Sequence, residues 1–247
     1  MAEPKQRGQG GAREIVTSTL ARMILSGEIA PGHRLPTEEA LQERMEVSRT
    51  ALRESVRMLA GKGLIESRPR VGTIVLPPTR WNHLDGDILA WRESLPPDLV
   101  FIRSLTEARQ VIEPAAAEMA AARADGSDLG RMQEAYHRMC TARGDDIDAT
   151  VSADEAFHFA ILMASKNEIF ANFGAVIGSA LRMSFRMTAE ASENFADSLD
   201  THGEVLEAIR MRQGDTARTL MAQLIDVAAR DLARVAAKTG TDTAGAA

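Results

Sequence analysis

Cysteine is nearly absent. Cys140 is the only one in 247 residues, which excludes an internal disulfide framework and a cysteine-built zinc finger. Aromatic residues make up only 4%, which weighs against an architecture built mainly of strands. No apolar run approaches the roughly 18 residues of a membrane helix. The opening residues 1–11 hold no apolar segment like that of a secretory leader. The expectation is a cytoplasmic protein with no membrane contact. What is present is ordinary globular material, 45% hydrophobic and 26% charged, which excludes disorder as a description of the whole chain. Ala, Leu, Met and Arg are abundant and favour helices. Twelve Met residues suit gap-filling between packed helices. The length admits one large domain or two modest ones.

The net charge of −6 is unevenly spread. Residues 1–80 hold 13 basic and 9 acidic side chains, net +4, and the remainder holds 16 and 26, net −10. A basic first third on an acidic body points to one module for a polyanion and another for a different task. An acidic whole-chain balance does not argue against nucleic-acid binding, because the electrostatic footprint is local.

The spacing predicts a flexible arm over 1–12 and a first helix from Arg13 to Ser26, with Ile15, Val16, Leu20, Met23 and Ile24 at helical intervals. Pro31-Gly32 marks a turn. Thr37 reads as the N-cap of a second helix carrying Leu41 and Met45. Ser48 reads as the N-cap of a third helix reaching about Lys62, with Leu52, Val56 and Leu59 inward. Residues 64–67 and 73–76 read as short strands, joined by a tip at 68–72. This is the plan of a winged helix-turn-helix over 13–76. Residues 77–97 are a linker with a linker helix. Residues 98–238 form an all-α bundle, with helices expected near 98–124, 128–143, 147–165, 168–189, 196–213 and 215–237. Residues 239–247 read as a disordered tail. The fold class is mainly α.

Pro31-Gly-His-Arg-Leu-Pro-Thr-Glu-Glu-Ala-Leu, Val47-Ser-Arg-Thr-Ala-Leu-Arg-Glu-Ser-Val and Gly63-Leu-Ile-Glu together resemble the N-terminal domain of the GntR family of bacterial transcription regulators. Glu107-Ala-Arg109-Gln-Val-Ile-Glu113-Pro, Asp154-Glu-Ala-Phe-His158, and His202 with Ala208-Ile209 and Gly214-Asp215 resemble the FCD effector domain of its FadR-type branch. The segment Trp81-Asn-His-Leu-Asp-Gly-Asp-Ile-Leu-Ala-Trp91 is similar to the linker of family members that control galactonate and related sugar-acid catabolism. Its two Trp residues equally suit stapling of the linker helix to one domain. The resemblance implies a homodimer on a palindromic double-stranded operator. It also implies a small carboxylate or sugar-acid effector and repression of a catabolic operon.

On the third helix, Arg49, Arg53 and Arg57 stand at i, i+4 and i+8 and share a face. A recognition helix turns its N-terminal residues towards base edges in the major groove, where Arg holds guanine with two hydrogen bonds. Arg49 and Arg53 are therefore the expected base readers, with Ser48 and Thr50 on phosphate or base edges. Arg57 is left to Glu54 or a phosphate. At the wing, Arg68 and Arg70 suit a narrow minor groove, Gly72 permits a tight turn, and Arg34 is placed to clamp phosphate. Glu39 stands where family members often carry Arg, which removes one expected contact and predicts a shallower salt dependence.

Asp154 and His158 are four residues apart on one helix, and His202 follows on a later one. Such spacing also occurs in surface hydrogen bonds. The resemblance raises it to a site for Zn²⁺, Mn²⁺ or Ni²⁺; the fourth ligand, a His in metal-binding relatives, is replaced by Gln223, whose amide suits a direct effector contact and leaves a weak, a ligand-completed and a metal-free site all open. Arg109 lies on an apolar stretch near Leu105, Val111 and Ile112 and, if buried, needs an anion. That anion is either Glu113 or the carboxylate of an effector. Arg182 is a further effector contact by resemblance. Two other readings remain open: a helical domain that only dimerises, and a metal-dependent enzyme. The second lacks any residue with a motif for the general base, so no catalytic residue is assigned.

Overall fold

The protein, seen in a computed structural model, is described for residues 9–142, 146–188 and 195–239. It divides into two compact units, Met1–Pro96 and Pro97–Ala247.

The first unit begins with α1 (Gln9–Leu25), followed by α2 (Glu38–Met45) and α3 (Arg49–Gly61). The helix starts earlier than the sequence suggested: residues 9–12, assigned to the arm, already belong to α1. Val16, Leu20 and Ile24 are buried on α1, whereas Ile15 is 66% exposed and lies off the core face. Both expected caps are in place. Thr37 accepts from the Ala40 amide at 3.3 Å and Ser48 from the Ala51 amide at 3.2 Å; each satisfies a helix-end N–H that would otherwise lack a partner. On α3, Leu52, Ser55 and Leu59 face inward. The Ser55 hydroxyl donates within the buried α1–α3 contact, where both the Arg13 carbonyl (3.1 Å) and the Ala51 carbonyl (2.9 Å) lie in reach.

The wing consists of β1 (Ile65–Arg68) and β2 (Gly72–Val75), antiparallel, with Ile65 opposite Val75 and Arg68 opposite Gly72. Each strand is thus displaced by one residue from the expected span, and the tip shortens to Pro69-Arg70-Val71. Residues 32–35 run along the other edge of β2 through the Leu35 amide to the Thr73 carbonyl (2.8 Å) and the Val75 amide to the His33 carbonyl (2.9 Å). A 3-10 turn, Pro78–Arg80, leads to α4 (Gly86–Glu93). Trp81 and Ile88 enter the core of this unit, with Trp91 packed against it. Lys62 ties the segment down by ion pairs of 2.7 Å to both Asp85 and Asp87.

The second unit is helical throughout its described residues: α5 (Leu99–Arg123), α6 (Gly126–Ala142), α7 (Ile147–Ala164), α8 (Glu168–Ala171), α9 (Gly174–Thr188), α10 (Phe195–Arg210) and α11 (Gly214–Thr239). The single helix expected over 168–189 is two. Asn172 closes α8, and Gly174 opens α9 where a Cβ would meet the Phe159 ring at 2.4 Å. α11 packs along α5 and α6 along α7. Small residues on α5, Ala116, Ala117, Ala120 and Ala121, are buried in the same core as Phe157, Ile161, Met221 and Ile225, so the helices approach closely. No described helix is long and apolar enough to cross a membrane. The expected tail lies outside the described residues apart from Thr239, and so do residues 144–145 between the helices expected near 128–143 and 147–165.

Candidate functional site

The first unit presents a basic face. Arg49 and Arg53 leave α3 on the side opposite its buried residues, with side chains 64% and 58% exposed. Glu38 of α2 reaches both: its Oε2 lies 3.6 Å from Arg49 Nε and accepts a 3.3 Å hydrogen bond from Arg53 Nε. Exposed pairs of this kind contribute about 0–1 kcal/mol, so either guanidinium can leave Glu38 at little cost. Arg57 lies 3.8 Å from Glu54. Thr50 is exposed at the start of the helix. Ser48 Oγ is used as a cap acceptor, which leaves its O–H to donate. At the wing, Arg68 pairs with Glu66 at 2.8 Å, and Arg70 occupies the turn with φ 62°. Gly72 has φ 100°, a conformation that a side chain strains. Arg34 is exposed and bridges to Ile74 of β2.

The second unit holds a buried polar chain. Arg109 and Glu113, on one face of α5, are 3% and 1% exposed, and Asp154, His158 and His202 are 6%, 2% and 2% exposed. Arg109 Nε donates to Glu113 Oε1 at 2.6 Å. His158 Nδ1 and Glu113 Oε2 form an ion-pair contact without hydrogen-bond alignment, and neither atom has another partner. His158 Nε2 lies 3.6 Å and His202 Nε2 2.9 Å from the same Asp154 Oδ1. Phe157 makes T-shaped ring contacts with both imidazoles. Val111, expected beside Arg109 on the apolar face, instead points outward at 72% exposure. Ile102, Leu105 and Thr106, which precede Arg109 on α5 at helical spacing, are buried.

The hydrogen-bond chemistry of this group is specific. His202 Nδ1 lies 2.6 Å from the Ser198 carbonyl, and a carbonyl only accepts, so Nδ1 carries the proton. In the neutral ring Nε2 is then a bare lone pair, facing a carboxylate oxygen. It is buried and makes no hydrogen bond. Two acceptors at this separation require a proton or a cation between them. Asp154, His158 and His202 can each offer one ligand atom, all within 4.8 Å of one another. Two imidazoles and a carboxylate form a donor set suited to Zn²⁺, Mn²⁺ or Ni²⁺, so the residues fit such an ion.

Burial alone would push Glu113 up, but the positive charges of Arg109 and then His158 outweigh it and bring its pKa down to about 2. Burial likewise opposes ionisation of Asp154, yet the positive charge of His158, with a smaller contribution from His202, holds it well below the usual carboxylate range. Burial pulls His158 down, but Glu113 and Asp154 raise it to about 9. With no cation bound, His158 thus gains a proton-linked stabilisation on folding. That term is complete below its ordinary pKa near 6.5 and is lost as pH rises to about 9. Chelator-treated protein is expected to melt at progressively lower temperature across that window, and His158→Asn is expected to remove the slope. A flat wild-type profile would show that His158 is not held as an imidazolium.

Gln223 lies elsewhere, and Arg182 is paired with the residue that follows Asp154. Gln223 is on the exposed face of α11, and the side chains α11 sends into the core are apolar, Ala217, Met221, Leu224 and Ile225. Placing Gln223 at a fourth ligand position is therefore corrected. Arg182 donates from Nη1 to Glu155 Oε2 at 2.5 Å. Glu155 follows Asp154 on α7, and a Cβ on Gly178 would strike its Oε1 at 2.1 Å. Sequence spacing offers Glu113 only as a partner of Arg109. Its contact with His158 depends on how α5 and α7 pack, which i, i+4 spacing within one helix does not reveal.

Comparison with known proteins places these features in context. Residues 12–75 match the family described as bacterial regulatory proteins, gntR family, and residues 104–227 match the FCD domain. The galactonate operon transcriptional repressor of Escherichia coli K12 is 34% identical over 221 residues, covering 89% of this chain and 96% of that protein. The HTH-type transcriptional regulator LutR of Bacillus subtilis is 32% identical over 166 residues, covering 67% of this chain and 74% of that protein. The solved structure of Lar, which controls the agr system of Listeria monocytogenes, superposes with a TM-score of 0.66 at 17% identity, covering 94% of this chain and 99% of that one. That likeness concerns the fold alone.

Proposed function

Since the chain belongs to the GntR family of bacterial regulators, with an FCD domain following its DNA-binding module, and is a transcription regulator rather than an enzyme, we propose that it is a homodimeric repressor of a sugar-acid catabolic operon. In this reading two winged modules bind the half-sites of a palindromic operator. A small carboxylate, an aldonate such as galactonate, enters the helical unit and releases the DNA. The observation that carries the reading is the buried group of Asp154, His158 and His202, aimed at one point inside the bundle. The similarity to the galactonate operon repressor supports the choice of effector class.

The proposed site is held by residues from α5, α7 and α10. A divalent cation at Asp154, His158 and His202 would supply a fixed positive charge for a carboxylate and hydroxyl of the effector. Arg109 uses Nε on Glu113, which leaves its Nη groups for the carboxylate, and Arg182 is proposed as a second contact. Allosteric coupling of about 1–3 kcal/mol, the usual range, lowers operator affinity roughly 5–150-fold. Calorimetric titration with a panel of aldonates, in the presence of Zn²⁺, Mn²⁺ or Ni²⁺ and after chelation, tests the effector. Gel shifts on the operator test release. If no acid binds under any of these conditions, the helical unit is not an aldonate sensor.

On the DNA side, Arg49, Arg53, Ser48 and Thr50 are proposed in the major groove, and Arg34, Arg68 and Arg70, with the turn that Gly72 allows, on phosphate or minor groove. Arg53→Ala is expected to weaken specific operator binding roughly 5–150-fold, the loss of one bidentate base contact at about 1–3 kcal/mol. Dimerisation and effector affinity should be unchanged. Equal operator affinity of variant and wild type at fixed salt would remove Arg53 from the reading face.

A further inference from the structure

Glu113 is placed to do more than neutralise Arg109. Its two carboxylate oxygens face different partners: Oε1 accepts from Arg109 Nε at 2.6 Å, and Oε2 contacts His158 Nδ1. The other nitrogen of that imidazole, Nε2, is turned towards Asp154, 3.6 Å away. His202 is arranged in the same sense, with Nδ1 against the Ser198 carbonyl and Nε2 towards Asp154. Each histidine thus has an oxygen acceptor behind it and its Nε2 directed at the common point. The acceptor behind His202 is a neutral carbonyl, whereas the one behind His158 is a full carboxylate, kept ionised in the interior by Arg109.

We propose that Glu113 is a positioning residue for the cation site formed by Asp154, His158 and His202, holding His158 in the Nδ1–H tautomer so that Nε2 is the ligating atom. This rests on the reading of that trio as a cation site. The physical reason is that a neutral imidazole has one N–H, and the hydrogen bond made by one nitrogen decides which nitrogen keeps the lone pair. A carboxylate behind the ring also makes the ligating nitrogen more basic and fixes the ring's orientation. Glu113 can serve only while ionised, and in a site that excludes water its charge depends on a cation alongside. Arg109, one helical turn away on α5, supplies it. The Arg109–Glu113 pair is therefore part of the apparatus that orients the donor and not an isolated core ion pair.

The test uses the full-length protein and zinc. Zinc affinity is measured by competition with a chromophoric chelator for wild type, Glu113→Gln and Glu155→Gln. Glu155 is also a carboxylate of the helical unit paired with an arginine, but it does not contact either histidine in the described contacts. Glu113→Gln is expected to weaken zinc binding about 10–100-fold, the usual effect of losing a partner behind a ligand, and Glu155→Gln to leave it unchanged. Equal losses in both would assign the effect to general packing and overturn the proposal. Nitrogen-15 spectra of the histidines in the zinc-loaded wild type provide a readout that does not depend on folding of a variant. His158 is expected to bind through Nε2 and to keep a slowly exchanging Nδ1–H in contact with the Glu113 carboxylate. Ligation through Nδ1, or a solvent-exchanging Nδ1–H, would overturn the role of Glu113. If wild type takes up no zinc, the cation reading itself fails. In that case the proposal falls with it, whereas zinc uptake with equal losses in the two variants removes the role of Glu113 alone.

Discussion

Arg109→Met is expected to destabilise the helical unit by about 3–5 kcal/mol, the usual cost of removing one partner of a buried ion pair. For a unit of this size that lowers its melting temperature by roughly 6–20 °C. The side chain being removed is 3% exposed and its partner Glu113 is 1% exposed, so water cannot take over the role of the guanidinium. A surface arginine would cost within about 0.5 kcal/mol, and the two cases are therefore well separated. Met matches the aliphatic part of the stem, so little of the loss comes from an empty cavity. The cost comes from the carboxylate left behind, which must keep its charge against His158 alone or take up a proton. Arg109→Met combined with Glu113→Gln removes both charges and is expected to recover at least half of the loss. Melting followed by circular dichroism on the three variants decides the point. If the single and double variants are equally unstable, the loss belongs to packing around residue 109 and not to the stranded charge.

The same residues show what a sequence reveals by itself. Short-range rules worked where the partner lies a few residues away. Thr37 and Ser48 cap their helices because a hydroxyl three residues before an unpaired amide reaches it regardless of the rest of the fold. Arg49 and Arg53 fall on one exposed face because helical periodicity alone decides that. The Asp154–His158 spacing was likewise legible, and the family resemblance pointed to His202.

What the sequence did not show depends on neighbours distant along the chain. The break between α8 and α9 adjoins Gly174, where the Phe159 ring occupies the place of a Cβ, and no pattern within 168–189 records that ring. Glu113 acquires its second partner only when α5 packs beside α7. Gln223 is a different case, because the information was present. Ala217, Met221, Leu224 and Ile225 recur at helical spacing and are all buried, which places residue 223 on the opposite side of α11. The resemblance drew it into the site against its own periodicity. Ile15 shows the converse: its hydrophobicity matched the expected stripe, but α1 turns its neighbours Val16 and Leu20 inward and leaves it 66% exposed.

Gly63→Ala is the substitution expected to damage the DNA-binding unit most. Gly63 has φ 77°, where a Cβ costs about 1–2 kcal/mol by itself. A Cβ there would also lie 2.2 Å from the Arg80 carbonyl oxygen and 3.2 Å from its carbon. Backbone atoms cannot swing aside as a side-chain end would, so residues 80–82 must move. They are fastened on both sides of the clash. The Asn82 amide donates to the Lys62 carbonyl at 2.9 Å, and the Trp81 indole N–H donates to the Leu76 carbonyl at 2.8 Å. At roughly 1 kcal/mol for each hydrogen bond lost, plus partial exposure of the buried Trp81 ring, the total loss reaches about 3–5 kcal/mol. Gly32→Ala is the matched control. Its φ is 82°, and nothing lies within 4 Å of the added Cβ, so it carries the backbone penalty without the collision. Thermal melting of both variants is expected to show Gly63→Ala at least 2 kcal/mol worse, about the share due to the collision and the broken contacts, with operator binding in gel shifts falling in step. Equal destabilisation of the two would mean that the segment bearing Trp81 does not close over Gly63, and that the wing holds its place by β-pairing alone.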